Sequence, residues 1–160
     1  MKVLAREERL KFGLTTPRVL RSHLRKIYSA YRIRIDVWPF KLRMVRGAYF
    51  NDDSGVSVLL NHTLPDDPYI FTMAHELKHH LVDSEMSVIY CGKDNELEPI
   101  EIGAEVFAAE MLFPEQDFAD RLNQMGVNFG SCTPNNLVRL KHETETTLSY
   151  AGLAKNLSEN

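Results

Sequence analysis

The stretch Ile70-Phe71-Thr72-Met73-Ala74-His75-Glu76-Leu77-Lys78-His79-His80-Leu81-Val82 decides how this chain is to be read. Its apolar run is too long and too unbroken by turn residues for a short strand, so it reads as a buried helix. On a helix, His75 and His79 lie one turn apart and about 40° apart around the axis. Both imidazoles can therefore reach one cation, with Glu76 beside them. This is the HExxH arrangement, in which two His bind zinc and the Glu acts as a general base. A polar, solvent-facing stretch of helix is the competing interpretation. The apolar flanks argue against it, because burying two His and a Glu without a ligand would leave costly unsatisfied groups. His80 points about 100° away from His79 and reads as a packing or surface residue.

Upstream, Leu64-Pro65-Asp66-Asp67-Pro68 is a stop-and-restart signal, with Asp67 as N-cap of a helix over 68–83. Before it, Thr16-Pro17 reads as an N-cap and first helical proline, and Leu20, Leu24, Ile27, Tyr28 and Tyr31 recur at helical spacing, predicting a helix over 17–31. The period changes to two at Ile33, Ile35 and Val37, a strand that Pro39 ends. An extended run over 42–50, the turn residues Asn51-Asp52-Asp53-Ser54-Gly55 and a return over 56–60 complete a small antiparallel sheet.

Downstream, a loop is expected around 91–95, then a helix over 99–112 that Pro114 ends. Phe118, Leu122 and Met125 predict a short helix closed by Gly126, and Thr133-Pro134 opens a last helical region that breaks near 144–147. Helix, sheet, two central helices and a helical C-terminus make an α+β fold over a single domain, residues 1–160. A chain of 160 residues is long enough for one sizeable core.

A third protein ligand is needed to hold zinc. Glu101 and Glu105 are four apart, and Gly103, Ala104 and Ala108 let their helix approach the histidine helix closely. Spacing does not choose between the two glutamates. One would bind the metal; the other would accept a hydrogen bond from a ligand His. Stabilising the developing oxyanion also requires a donor, for which Tyr49, His62, His142 and Tyr150 are the candidates.

Residues 71–79 and 101–114 together resemble the two signatures of the ImmA/IrrE family of zinc metallopeptidases, approximately T-x-A-H-E-L-G-H and E-x-x-A-N-x-F-A-x-x-L-L-x-P. The likeness is good from about 47 to 114 and implies a zincin-like fold. It also implies Zn2+ as cofactor, held by His75, His79 and Glu101, with Glu76 as the catalytic base. Lys78 stands where the pattern has Gly, a change suited to a solvent-facing position, and Glu105 stands where it has Asn. The resemblance further implies an endopeptidase that cuts helix-turn-helix repressors of the Xre type, derepressing stress, phage or mobile-element genes. The strand over 55–61 would be the edge on which a peptide adds. The alternative is a zinc-binding interaction module, a repressor regulator or toxin–antitoxin partner acting without proteolysis.

Charge is unevenly spread. Residues 1–50 hold 13 Lys/Arg against 3 Asp/Glu, and residues 51–160 hold 6 against 19. Mutual neutralisation across one fold is the simpler account, so direct nucleic-acid binding is not expected; a docking surface for a partner is the sharper one. No apolar run approaches the roughly 18–20 residues that span a bilayer, and charges interrupt the first nine residues too early for a signal peptide. Cys91 and Cys132 form no paired framework. A reduced protein in the cytoplasm, with no membrane partner, is the expectation.

Overall fold

The structure, a computed structural model, describes residues 1–38, 45–92 and 98–158. Its elements run α1 (Lys2–Lys11), α2 (Arg21–Ala30), β1 (Arg34–Trp38), β2 (Val45–Asp52), β3 (Gly55–Asn61), α3 (Asp66–Val82), β4 (Val88–Gly92), α4 (Pro99–Leu112), α5 (Glu115–Gln124), α6 (Pro134–Thr144) and α7 (Tyr150–Ser158). The architecture is α+β, as expected. A four-stranded sheet in the order β1-β3-β2-β4 lies against α3, which packs in turn along α4. Tyr28, Tyr49, Met73, Leu77, Phe107 and Met111 fill the core between these layers.

The sheet is mixed, not purely antiparallel. β2 and β3 form the expected hairpin: the Asp52 carboxylate accepts from the Ser54 backbone N–H at 2.8 Å, and Gly55 takes φ +105°. β1, however, pairs with β3 in parallel, Ile35 opposite Val58. The chain leaves β1, passes the neighbouring place and returns as β2, so the hairpin's second strand fills the gap running in the direction of β1. Local periodicity carries no trace of that ordering. It also moves β3 from the expected edge to the interior of the sheet; the edges are β1 and β4. β4 falls where a loop was expected. Ile89 and Cys91 are buried and Val88 and Tyr90 exposed, a period of two too short to stand out. Pro39, residues 42–44 of the extended run and residues 93–95 of the loop lie outside the described residues.

Helix boundaries shifted where tertiary contacts compete with capping. α2 begins at Arg21, with the His23 ring accepting from the Leu20 N–H at 3.2 Å. Thr16-Pro17 is instead a bend: the Thr16 carbonyl accepts from Arg9 Nη2 at 3.1 Å, and Thr147 Oγ1 donates to the Val19 carbonyl at 3.0 Å, pinning a fully buried Val19. α3 starts at Asp66, so Asp66 and Asp67 sit in its first turn, where acids favour the helix dipole. Asp67 is thereby freed from capping and pairs with Lys141 at 2.8 Å. Thr133 does cap α6, and Glu145, at φ 50°, breaks the chain before α7.

α1 was hidden in the sequence because its buried stripe, Ala5, Glu8 and Arg9, is largely charged. Arg9 is 4% exposed, and its Nη1 donates to the Met111 carbonyl at 2.6 Å at the end of α4. Arg6 and Lys2 reach Glu110 and Glu115, while Arg18 pairs with Glu145 and Arg21 with Asp66. At these four pairs the basic first third meets the acidic remainder across the fold. Truncating Arg9 to Ala is expected to cost about 2–3 kcal/mol, because it removes a charged hydrogen bond to the buried Met111 carbonyl and a second to Thr16. Urea unfolding measures this; an unchanged midpoint would show that α1 does not brace α4.

Candidate metal centre

Each functional side chain comes from an element whose packing aims it inward. α3 is buried on all sides from Thr72 to His79 and presents His75, 6% exposed, and His79 and Glu76, both at 0%. The small residues Ala104 and Ala108, fully buried, bring α4 alongside, and Glu101 faces the histidines at 3% exposure. One Glu101 oxygen lies 3.2 Å from His75 Nε2 and the other 3.4 Å from His79 Nε2. Glu105 sits one turn on, at the other face of His75, with Oε1 3.7 Å from Nδ1.

The structure adds a residue that the sequence did not single out. Cys91 Sγ on β4 lies 3.4 Å from His79 Nε2 and 3.8 Å from Glu101 Oε1. One donor atom from each of His75, His79, Cys91 and Glu101 falls within 4.8 Å of the others, and all four residues are buried. Imidazole, thiolate and carboxylate donors so close together match what zinc prefers. Glu76 supports the same conclusion: both its oxygens are buried without a hydrogen-bond partner, which is costly unless a charge or a reacting molecule completes the site. The residues present therefore fit a bound divalent cation.

Electrostatics in the metal-free protein follow from the crowding. Burial opposes a charge on His75, but the carboxylates of Glu101 and Glu105 outweigh it and raise its pKa to about 9. Burial likewise opposes the charge on Glu101, yet His75 and His79 hold its carboxyl down at about 2. Burial pushes Glu76 upward, and burial with the nearby carboxylates pushes the Cys91 thiol far up. A cation must displace the His75 proton, since only neutral imidazole binds metal. Zinc affinity should therefore rise with pH from neutrality, the His75 proton alone contributing roughly tenfold per pH unit until pH about 9. In the metal-free chain the sign is opposite. The raised His75 pKa stabilises fully below 6.5 and is lost as pH rises through about 9, so the stabilisation zinc confers should grow over that window. Zinc titrations monitored by calorimetry across this range test both; a pH-independent affinity would remove the His75 proton from the equilibrium.

Supporting groups complete the centre. Asp83 Oδ2 accepts from His79 Nδ1 at 2.8 Å, which turns Nε2 toward the cluster, and Lys78 Nζ donates to the same oxygen at 2.6 Å. Asp83 lies four residues after His79, a helical spacing that could have flagged it. Lys78 corrects an expectation: it is 3% exposed, not solvent-facing, and its Nζ also donates to the Ile100 carbonyl at 2.9 Å, tying α3 to α4. Gly47 on β2 is a second unnoticed residue. A Cβ there would collide with Glu76 Oε1 and come within 2.8 Å of Thr72 Cγ2, and the β2–β4 register shifts between Val45 and Gly47. Glycine lets the sheet close over the acid.

The pocket at the cluster is lined by Arg46, Phe71, Thr72, Cys91 and the acids and His75 already described; its volume, about 20 Å³, suits one water-sized group. It adjoins a groove of about 480 Å³ bordered by Arg46, Leu64, Phe71, Glu105, Gly152 and Lys155. None of the four oxyanion candidates lines either space. Tyr49 is buried and contacts His80 Nδ1 at 3.4 Å; His62 and His142 are exposed; Tyr150 is half exposed beside Lys141. His80 packs between Tyr31 and Tyr49.

A family model described as Peptidase_M78, the IrrE N-terminal-like domain, matches residues 29–145. The chain belongs to that peptidase family. No curated protein matches it. Membership indicates a metallopeptidase, and the matched span of the IrrE-like domain covers α3, β4 and α4, and so every residue of the cluster. α1, which braces α4, lies outside the match. Among the described residues of the IrrE-like domain, no helix is long and apolar enough to cross a membrane.

Proposed function

We propose that this IrrE-like domain is a zinc endopeptidase that cuts a helix-turn-helix repressor in the cytoplasm. The carrying observation is Glu76, an acid with both oxygens buried and unpartnered beside a pocket the size of one water. His75, His79 and Glu101 would hold the ion. Bound there, zinc would polarise the scissile carbonyl and acidify the attacking water. Glu76 takes the water's proton on a carboxylate oxygen and delivers it to the leaving amine nitrogen. Asp83 keeps His79 in the tautomer that turns Nε2 inward, and Glu105, 3.7 Å from His75 Nδ1, places a carboxylate on the corresponding side of His75. The peptide enters along the groove, and the outer side of β4, an edge strand among the described residues, rather than β3, offers the backbone groups on which it adds.

Arg46, which borders both pocket and groove, takes the place of the four oxyanion candidates. Substituting Arg46→Met should lower kcat by about 100-fold with metal content unchanged; full activity would exclude it. The repressor class rests on the family likeness. Incubating the zinc-loaded chain with a purified Xre-type repressor, followed by mass spectrometry, should reveal one defined cut that a chelator prevents. An intact repressor under metal-loaded conditions would reject that substrate.

One observation favours the alternative, a zinc-binding module acting without proteolysis. With Cys91 the cluster offers four protein donors, the number that closes a structural zinc site. A structural site needs no buried general base, so Glu76 favours hydrolysis. If the biological effect survives in Glu76→Gln, the binding module is the correct reading.

A further inference from the structure

We infer that Cys91 is a fourth ligand of the same cation, so that the resting protein keeps the centre closed and hydrolysis begins only when the thiolate gives way to water. The inference rests on the metallopeptidase reading of the site. Its first support is position: Cys91 is 5% exposed, and its sulfur approaches both His79 Nε2 and Glu101 Oε1 within one set of four mutually close donors. A cation that touches the other three is within reach of the sulfur, and a soft donor added to two imidazoles strengthens the preference for zinc.

Glu76 supplies an independent support. Its unpartnered oxygens and Cys91 line the same pocket, whose volume of about 20 Å³ admits one small group. With His75, His79 and Glu101 as the other donors, a bond from the sulfur would take the fourth position that a catalytic zinc leaves to water. A third support is where the sulfur comes from. His75, His79 and Glu101 stand on two long helices packed along each other, whereas Cys91 stands on edge strand β4, paired with β2 alone. Displacing β4 withdraws the sulfur without unpacking α3 from α4. In the exchange the bond from the Cys91 sulfur to the cation would break, the sulfur keeping the electron pair and taking up a proton from solvent, and a water would take its place. Nothing is oxidised or reduced. An extended substrate pairing with β4 would act on the strand that carries the gate, so substrate engagement and opening are coupled.

Cobalt(II) substituted for zinc in the full chain tests this directly. The wild type should show a sulfur-to-cobalt charge-transfer band in the near ultraviolet; Cys91→Ser and Cys91→Ala should lose it while still binding one cation, and Cys132→Ser should keep it. X-ray absorption at the zinc edge of the wild type, which needs no variant, should show one sulfur scatterer. Peptide hydrolysis by Cys91→Ala should be several-fold faster than wild type. A metal-loaded wild type without the band or the sulfur scatterer overturns the fourth ligand and leaves the peptidase reading intact. A sulfur ligand whose removal slows hydrolysis overturns the gate. A wild type that binds no metal overturns the peptidase reading itself.

Discussion

Replacing Glu76 by Gln should lower peptide hydrolysis by roughly 100- to 10,000-fold while the zinc content stays at that of the wild type. The substitution keeps the shape of a side chain that is fully buried and fills space against Gly47 and Thr72. It removes the negative charge and with it the capacity to accept a proton. Glu105 also borders the pocket, but it is turned toward His75 Nδ1 at 3.7 Å, so it is poorly placed to substitute. Steady-state hydrolysis of a repressor or a generic peptide, together with metal analysis, measures the effect. Wild-type turnover in a metal-loaded Glu76→Gln protein would take Glu76 out of the chemistry and leave the orphaned carboxylate without a purpose.

Substituting His79→Ala should abolish stoichiometric zinc binding and also destabilise the metal-free fold by ~3 kcal/mol. His79 is at 0% exposure and joins three elements: Asp83 past the end of α3, Cys91 on β4 and Glu101 on α4. Its removal leaves a cavity and strips Glu101 of one of the two imidazoles that hold its carboxyl at about 2. Loss of zinc takes away a further increment that depends on free zinc, about 4 kcal/mol at a thousandfold excess over Kd. Thermal unfolding with and without zinc separates the two parts. Zinc-dependent stabilisation persisting at its wild-type size would show that the cation sits elsewhere.

Much of the centre is legible in the sequence. The interval of four between His75 and His79, and again between Glu101 and Glu105, is a property of helical geometry and survives any folding context that keeps the helices. Gly103, Ala104 and Ala108 announced a close helix pair, and α3 and α4 do pack along each other. Lys78 misled for the opposite reason. A charge in an apolar run reads as a solvent-facing position, yet a partner carbonyl at Ile100 and a carboxylate at Asp83 make its burial affordable. The same substitution of partners for solvent hid α1, whose buried Arg9 and Glu8 erase the apolar period.

By itself, then, the sequence determined the helical elements that carry His75, Glu76, His79 and Glu101, because local spacing and burial pattern act within a few turns of chain. Only the tertiary structure decided that β1 runs parallel to β3, that β4 rather than β3 is the edge beside the cluster, and that Cys91, Gly47 and Arg46 converge on Glu76. Those are juxtapositions between segments that are remote along the chain. They are set by which strand fills which place in the sheet and how closely the sheet approaches the helices, and no local periodicity encodes that choice.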